Sequence, residues 1–335
     1  MLLDKRIELK PYEYPELQEV WEKVQKTYWI HNSIEFSADV QHYRTELTED
    51  ERYIVGTILK SFAMTEMFVF DDFWTKVGDF MPKPEVKIIG GVFSENELRH
   101  AVAYQRLNDV LDIQDFKAFL EDPILIERFA NLTTITTNAE GKYNPKDILL
   151  SLAIFGCFTE YVNLFSQFAI LKSFSANGRN LLPNIGTIID YSALDEDIHA
   201  KTAIWFVNTL KMEYPEIWDK EVIDAINQAA IITFEIECKL IDQIFERGDL
   251  PNLSKVQLIN FMKNRINEAL FMIDLPVLFN DIDRKELHNM SWFLDNIFAK
   301  QNSDFFYRKP TSYSKFNKTY SKENVLVTKE EVDNI

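Results

Sequence analysis

Four stretches of this chain place ionisable side chains on faces that are otherwise apolar. In SENELRHAVAYQR, residues 94–106, Glu97, His100 and Tyr104 fall in step with Phe93, Leu107 and Leu111. Intervals of three and four put all six on one side of a helix. A second Glu-x-x-His pair, Glu196 and His199, keeps the same rhythm with Ile189, Ser192, Ala203 and Phe206. Glu66 shares a stripe with Ile58, Phe62 and Phe70, and Glu160 shares one with Ala153, Leu164, Phe168 and Leu171. An ionised glutamate is rarely buried unless it is paired or bound to a metal. Taken singly, each position has a bland explanation: a partly exposed Glu–His pair, a boundary residue at Glu66, a lysine partner for Glu160, a core aromatic at Tyr104.

Taken together, the six ligand-type residues read Glu66, Glu97-x-x-His100, Glu160, Glu196-x-x-His199. That order is the helical-bundle plan for a carboxylate-bridged pair of metal ions. Carboxylates offset the charge of two divalent ions in a low-dielectric core, and one imidazole completes each shell. Hard oxygen and nitrogen donors suit iron and manganese, whereas structural zinc favours thiolates. Without metal, acids held this close raise one another's pKa values. A phenol such as Tyr104 beside a strong oxidant is able to lose an electron and a proton.

The elements that must position these residues are helices. Residues 12–30 start one after a proline-rich entry, with Trp21, Val24 and Tyr28 on one face, and 31–47 reads as a connecting arm. Thr48, with Glu51 three residues later, caps a helix that runs to about Gly78. Pro82 and Pro84 mark the break before a helix over 86–111. Further helices are predicted over 124–139, 146–173, 185–211, 219–246, 255–272 (capped by Ser254) and 284–300. No alternating strand pattern and no fixed repeat appears. The fold class is therefore all-α, a helical bundle with additional helices. Beyond residue 304 the chain turns polar and loses its helical stripe, as a mobile tail does. The expected organisation is one domain over 1–303 and a tail over 304–335.

Composition bounds the rest. Hydrophobic residues make up 46% of 335, enough for a sizeable core, and the net charge of -17 argues against a nucleic-acid partner. Cys157 and Cys238 offer neither a disulfide framework nor a thiolate cluster. No segment reads as a membrane span and the N-terminus is too charged for a signal peptide, so a cytoplasmic location is expected. Neither GxxxxGK nor GxGxxG occurs.

From Trp29 to the tail, the chain is similar to the small, radical-generating (beta) subunit of class I ribonucleotide reductase, of the ferritin-like dimetal-carboxylate superfamily. The resemblance implies Glu66, Glu97, His100, Glu160, Glu196 and His199 as ligands, and Tyr104 at the family's radical-tyrosine position. KTYWIHNS places Trp29 at the relay tryptophan. Asp195 matches the acid that joins it to His100, and Tyr320 or Tyr313 would continue the route from the tail. The implied activity is reduction of ribonucleoside diphosphates, with the oxidising equivalent passed to a large catalytic subunit by a homodimer of this chain. Allosteric control would lie on the large subunit, because the segment before the first core helix is short for a nucleotide-binding cone.

The match departs at Glu66, where many members carry an aspartate that hydrogen-bonds the radical tyrosine. The extra methylene can disconnect Tyr104, and the oxidant can reside on the metals instead. Two manganese ions are favoured on that ground over two iron ions or a mixed manganese–iron pair. Competing functions are a related dimetal oxidase or monooxygenase acting on an organic substrate, and metal storage or a purely structural bundle.

Overall fold

The computed structural model describes residues 1–114, 116–132, 143–176 and 178–298. Among them the chain is helical, and an isolated bridge between Leu250 and Leu253 stands outside any strand. The main elements are α1 (Pro15–Lys26), α2 (Ser37–Thr45), α3 (Glu49–Val69), α4 (Val77–Phe80) and α5 (Pro84–Leu111). They continue with α6 (Phe116–Leu120), α7 (Pro123–Leu132), α8 (Pro145–Leu152), α9 (Leu164–Ser173) and α10 (Pro183–Glu213), then α11 (Lys220–Ile244), α12 (Lys255–Met272) and α13 (Arg284–Asn289).

Local chemistry starts these helices where the sequence predicts. Thr48 Oγ1 accepts from the Glu51 amide while Glu51 reaches back to the Thr48 amide, closing a capping box at α3. Ser254 and Gln257 do the same at α12. Prolines occupy the first turn of α1, α5, α8 and α10, where their missing N–H costs nothing.

Two findings correct the sequence reading. The arm over 31–47 contains α2, whose Asp39 is fully buried and accepts from the Asn184 and Ile185 amides. Asp39 thereby caps α10 from another helix, since α10 has no side-chain cap of its own. The helices predicted to end near Gly78 and to span 146–173 are not regular. A π-helical turn over Phe70–Trp74 interrupts the first, and a π-helical stretch over Ala153–Asn163 joins α8 to α9 in the second. π segments widen the helix by one residue per turn and re-aim the side chains they carry.

The centre of residues 1–294, one compact unit, is built from α3 packed on α5, and from α10 packed on the 153–163 stretch and α9. Gly156 lets the latter pair approach closely, because a Cβ there would overlap the Cβ of Ala203. Phe62, Phe155, Phe165, Phe168 and Phe206 fill the interior. Two segments, Glu49–Phe80 and Pro145–Ser173, are by composition long and apolar enough to cross a membrane, contrary to expectation. Their most apolar windows are 67% and 94% buried in the bundle, and each segment carries one of the inward glutamates. Residues 133–139 of the helix predicted over 124–139, the end of that over 284–300, and the whole tail with Tyr313 and Tyr320 lie outside the described residues.

Candidate metal centre

Glu66 comes from α3, Glu97 and His100 from α5, Glu160 from the π-helical stretch, and Glu196 and His199 from α10. All six side chains are fully buried. Their donor atoms form two overlapping groups, Glu66, Glu97, His100 and Glu196, and Glu97, Glu160, Glu196 and His199, with each group's atoms within 4.8 Å of one another. Glu97 and Glu196 belong to both groups. His100 Nδ1 lies 2.9 Å from Glu196 and 3.6 Å from Glu97. His199 Nδ1 lies 2.8 Å from Glu97 and 3.3 Å from Glu196. The arrangement is two half-sites, each with one private glutamate and one histidine, sharing two central carboxylates.

The donor atoms fit a metal pair better than they fit one another. Both oxygens of Glu66, Glu97 and Glu196, one of Glu160, and the Nδ1 atoms of both histidines make no aligned hydrogen bond. Leaving so many buried polar atoms unsatisfied costs on the order of 1–3 kcal/mol each, and two divalent ions would satisfy them together. A dimetal carboxylate-binding site is therefore present.

The metal-free electrostatics say the same. Burial and then the charges of Glu196 and Glu97 push Glu66 well above the usual carboxylate range. Burial and neighbouring Glu196 and Glu97 also raise Glu160, against the pull of His199. Burial opposes ionisation of Glu97, but His199 and His100 overcome it and hold the group at about 2. Burial disfavours the charged imidazoles, yet Asp195, Glu196 and Glu97 raise His100, and Glu97 and Glu196 raise His199. Protons stand in for metal charge.

Outside the donors, three contacts orient the site. His100 Nε2 lies 3.2 Å from Asp195 Oδ2, and Trp29 Nε1 donates to that same oxygen at 2.9 Å. The carboxylate fixes the ring of a ligand histidine. Trp29 lies between His100 and Tyr191 in stacked contacts of 5.8 and 5.6 Å. The Arg99 guanidinium stands 4.0 Å from Asp195, 4.1 Å over the Tyr28 ring and 5.6 Å over Trp29. On the opposite side, Trp74 Nε1, from the π-helical turn, donates to Glu160 Oε1 at 2.6 Å. Tyr104 is fully buried and donates to Ser192 Oγ at 2.8 Å. Burial and the Glu66 charge push its phenol well above its ordinary pKa.

The structure thus brings Trp29, Asp195 and Tyr104 beside the six donors. Sequence reasoning missed Trp74, Arg99 and the hydroxyl of Ser192. A buried indole needs an acceptor for its N–H, which was the available signal for Trp74.

The family description "Ribonucleotide reductase, small chain" matches residues 6–286. The chain belongs to the ribonucleotide reductase small-chain family. As such a small subunit it generates and stores, at its dimetal centre, the oxidising equivalent used by a large subunit. It is 24% identical over 329 residues to the probable ribonucleoside-diphosphate reductase small subunit of Invertebrate iridescent virus 3, covering 94% of this chain and 86% of that protein. It is 21% identical over 296 residues to the ribonucleoside-diphosphate reductase subunit beta of Chlamydia pneumoniae, covering 85% and 83%. The fold matches a ribonucleotide reductase R2 subunit from Clostridium botulinum, with a TM-score of 0.77, 18% identity, and coverage of 87% of this chain and 90% of that one. It also matches the Streptococcus sanguinis dimanganese(II)-NrdF, with a TM-score of 0.72, 17% identity, and coverage of 86% and 99%. Ribonucleotide reductase small subunits of known structure thus share this bundle.

Proposed function

We propose that this small subunit works as a homodimer in the cytoplasm, holds two manganese ions, and passes its oxidising equivalent through His100, Asp195 and Trp29 to a large subunit reducing ribonucleoside diphosphates. The observation that carries the route is the single Asp195 oxygen shared by Trp29 Nε1 and His100 Nε2. It makes one continuous hydrogen-bonded path from His100 to an aromatic side chain of the segment that follows α1. Tyr320 or Tyr313 would take the path onward through the tail.

Glu66 and His100 would hold one ion, Glu160 and His199 the other, and Glu97 and Glu196 both. When bound, the pair supplies one-electron oxidising power. The chain supplies the rest. Phe93 packs on His199 at 4.1 Å, and Phe62 packs on Tyr104 at 4.7 Å, excluding water from the donors. Asp195 Oδ2 is placed to take the Nε1 proton as an electron leaves the Trp29 indole. Arg99 disfavours net positive charge on that indole, so proton and electron leave together.

The carboxylate and imidazole donors suit manganese and iron alike; the choice of manganese rests on the glutamate at position 66 beside a retained tyrosine. The structurally similar Streptococcus sanguinis protein is a dimanganese(II) form. The test is metal quantification of protein matured with both metals on offer, alongside nucleotide reduction with the large subunit. Activity that tracks manganese supports the reading; activity that tracks diiron or a mixed pair overturns it.

A further inference from the structure

Helix α3 has a second polar face. Arg52, Gly56 and Lys60 follow one another at intervals of four, with Tyr53 three before Gly56, so they form a stripe on a different side from Ile58, Phe62 and Glu66. This stripe lines a groove of about 510 Å³, walled by Tyr43 of α2, Ile113 after α5 and Arg247 after α11. Small-ligand sites span about 300–1,000 Å³. Arg247 stands 4.4 Å over the Tyr53 ring and 3.2 Å from Asp50, which pins that phenol. Tyr43 Oη donates to the Arg52 carbonyl at 3.4 Å, and the Lys60 ammonium lies 5.1 Å over Phe119. The Arg52 guanidinium donates to the Leu47 carbonyl at 2.6 Å and meets no carboxylate among the described residues. Gly56 is the unexpected member, because glycine weakens a helix interior. A Cβ there would find its nearest neighbours, Ile113 and Tyr43 Oη, at 3.8 and 3.9 Å, an ordinary contact. Packing does not require the glycine; what it keeps is the depth of the groove.

We propose that this groove is a binding site for a small aromatic anion, the chemistry that a nucleoside phosphate presents. Arg52 and Lys60 take the anionic end, the first as a planar fork matched to phosphate oxygens and the second as a point charge. Tyr43 and Tyr53 supply aromatic surface for a ring. Glu49 and Asp112 line the same groove and accept from amino or hydroxyl donors at the ligand's other end. Counting Arg247, the lining carries three cations against two acids, in a chain whose net charge is -17. A bare anion would use the cations alone and a neutral heterocycle the rings alone; the groove offers both side by side.

Titration calorimetry of the full-length, metal-loaded protein tests this, with ADP, inorganic pyrophosphate and adenosine as probes. The expected result is one ADP per chain with a Kd below about 1 mM, at least about tenfold tighter than either fragment. Arg52→Gln and Lys60→Gln should each weaken ADP about tenfold or more, as the loss of a hydrogen bond from a charged group predicts. Gly56→Leu should weaken it likewise with every charge kept, by filling the floor. Arg52→Gln alters a half-exposed side chain, so it keeps the test decisive should Gly56→Leu fail to fold. No saturable ADP binding to the wild type overturns the proposal, as does wild-type affinity in Arg52→Gln and Lys60→Gln. Pyrophosphate or adenosine binding as tightly as ADP also overturns it, since one half of the ligand would then suffice. Binding is read without turnover, so failure here leaves the functional reading standing, and failure of nucleotide reduction leaves this site standing.

Discussion

The indole of Trp29 and the imidazole of His100 lie 18° from parallel, with ring centroids 5.8 Å apart, and meet the same oxygen of Asp195. One residue, from the segment that follows α1, therefore reads the state of a ligand on α5 through an acid on α10. Trp29→Phe keeps an aromatic ring but deletes the Nε1–H. Metal content should be unchanged, while nucleotide reduction with the large subunit should fall about a hundredfold or more, some 2.7 kcal/mol of barrier. A steady-state assay of deoxynucleotide formation checks it, and wild-type rates would place the route elsewhere.

Asp195→Asn separates orientation of the ligand from transfer. The amide is nearly isosteric, but it no longer offers a charged acceptor to both His100 Nε2 and Trp29 Nε1. Partners of this kind are worth about 10–100-fold in metal affinity. Competition against a chelator should register that loss in Asp195→Asn and not in Trp29→Phe, although both variants are slow in turnover.

Trp74→Phe removes the donor to Glu160 Oε1. A hydrogen bond to a charged group contributes about 1.5–3 kcal/mol, so the loaded protein should lose roughly that much in chemical denaturation. Metal-free protein should lose less beyond the packing cost, because burial already holds Glu160 protonated there.

The pKa directions fix how metal-free stability depends on pH. Glu66 and Glu160 are raised above their ordinary 4.5, so the native state binds more protons than the unfolded chain, and stability falls as pH rises through their folded values. His100 and His199 are raised above 6.5; their contribution is full below that value and is lost as pH rises through the folded values. Glu97 runs the other way, but its contribution is complete above 4.5 and is lost only as pH falls toward about 2. Between about pH 5.5 and 8, the Tm of metal-free protein should therefore fall as pH rises. Metals displace these protons, so the gap between loaded and metal-free Tm should widen over the same range. Parallel thermal melts test this, and taking the difference cancels the effect of overall charge. A gap that is constant or narrows would mean that the donors are already deprotonated.

Much of the centre was legible because α-helical periodicity alone puts Glu97 with His100 and Glu196 with His199. Glu160 was found although its segment is π-helical, since the surrounding residues are apolar on every side. The contacts that complete the site were not legible. Trp74 meets Glu160 across 86 residues, and Asp39 meets Ile185 across 146, so each depends on packing that no local pattern encodes. Ser192 was visible as a small member of an inner stripe, but its hydroxyl acquires meaning only when α5 brings Tyr104 against it. The segment SADVQHYRT alternates weakly and reads as a connection; it is helical because α2 packs on α10 and delivers Asp39 there.

That last contact yields a prediction far from the donors. Leu182, at the start of α10, adopts a left-handed conformation and has no capping side chain of its own, so the first amides of α10 depend on Asp39. A carboxylate at a helix N-terminus both satisfies donors and opposes the helix dipole. Asp39→Ala should cost about 1–2 kcal/mol of stability, and Asp39→Asn less, because the amide oxygen still accepts. Since Ser192, Asp195, Glu196 and His199 all lie within the next few turns, the loosened helix should also show faster amide hydrogen exchange near its start. If exchange there stays at the wild-type rate in Asp39→Ala, the cap is held by other groups and α2 serves only to cover α10.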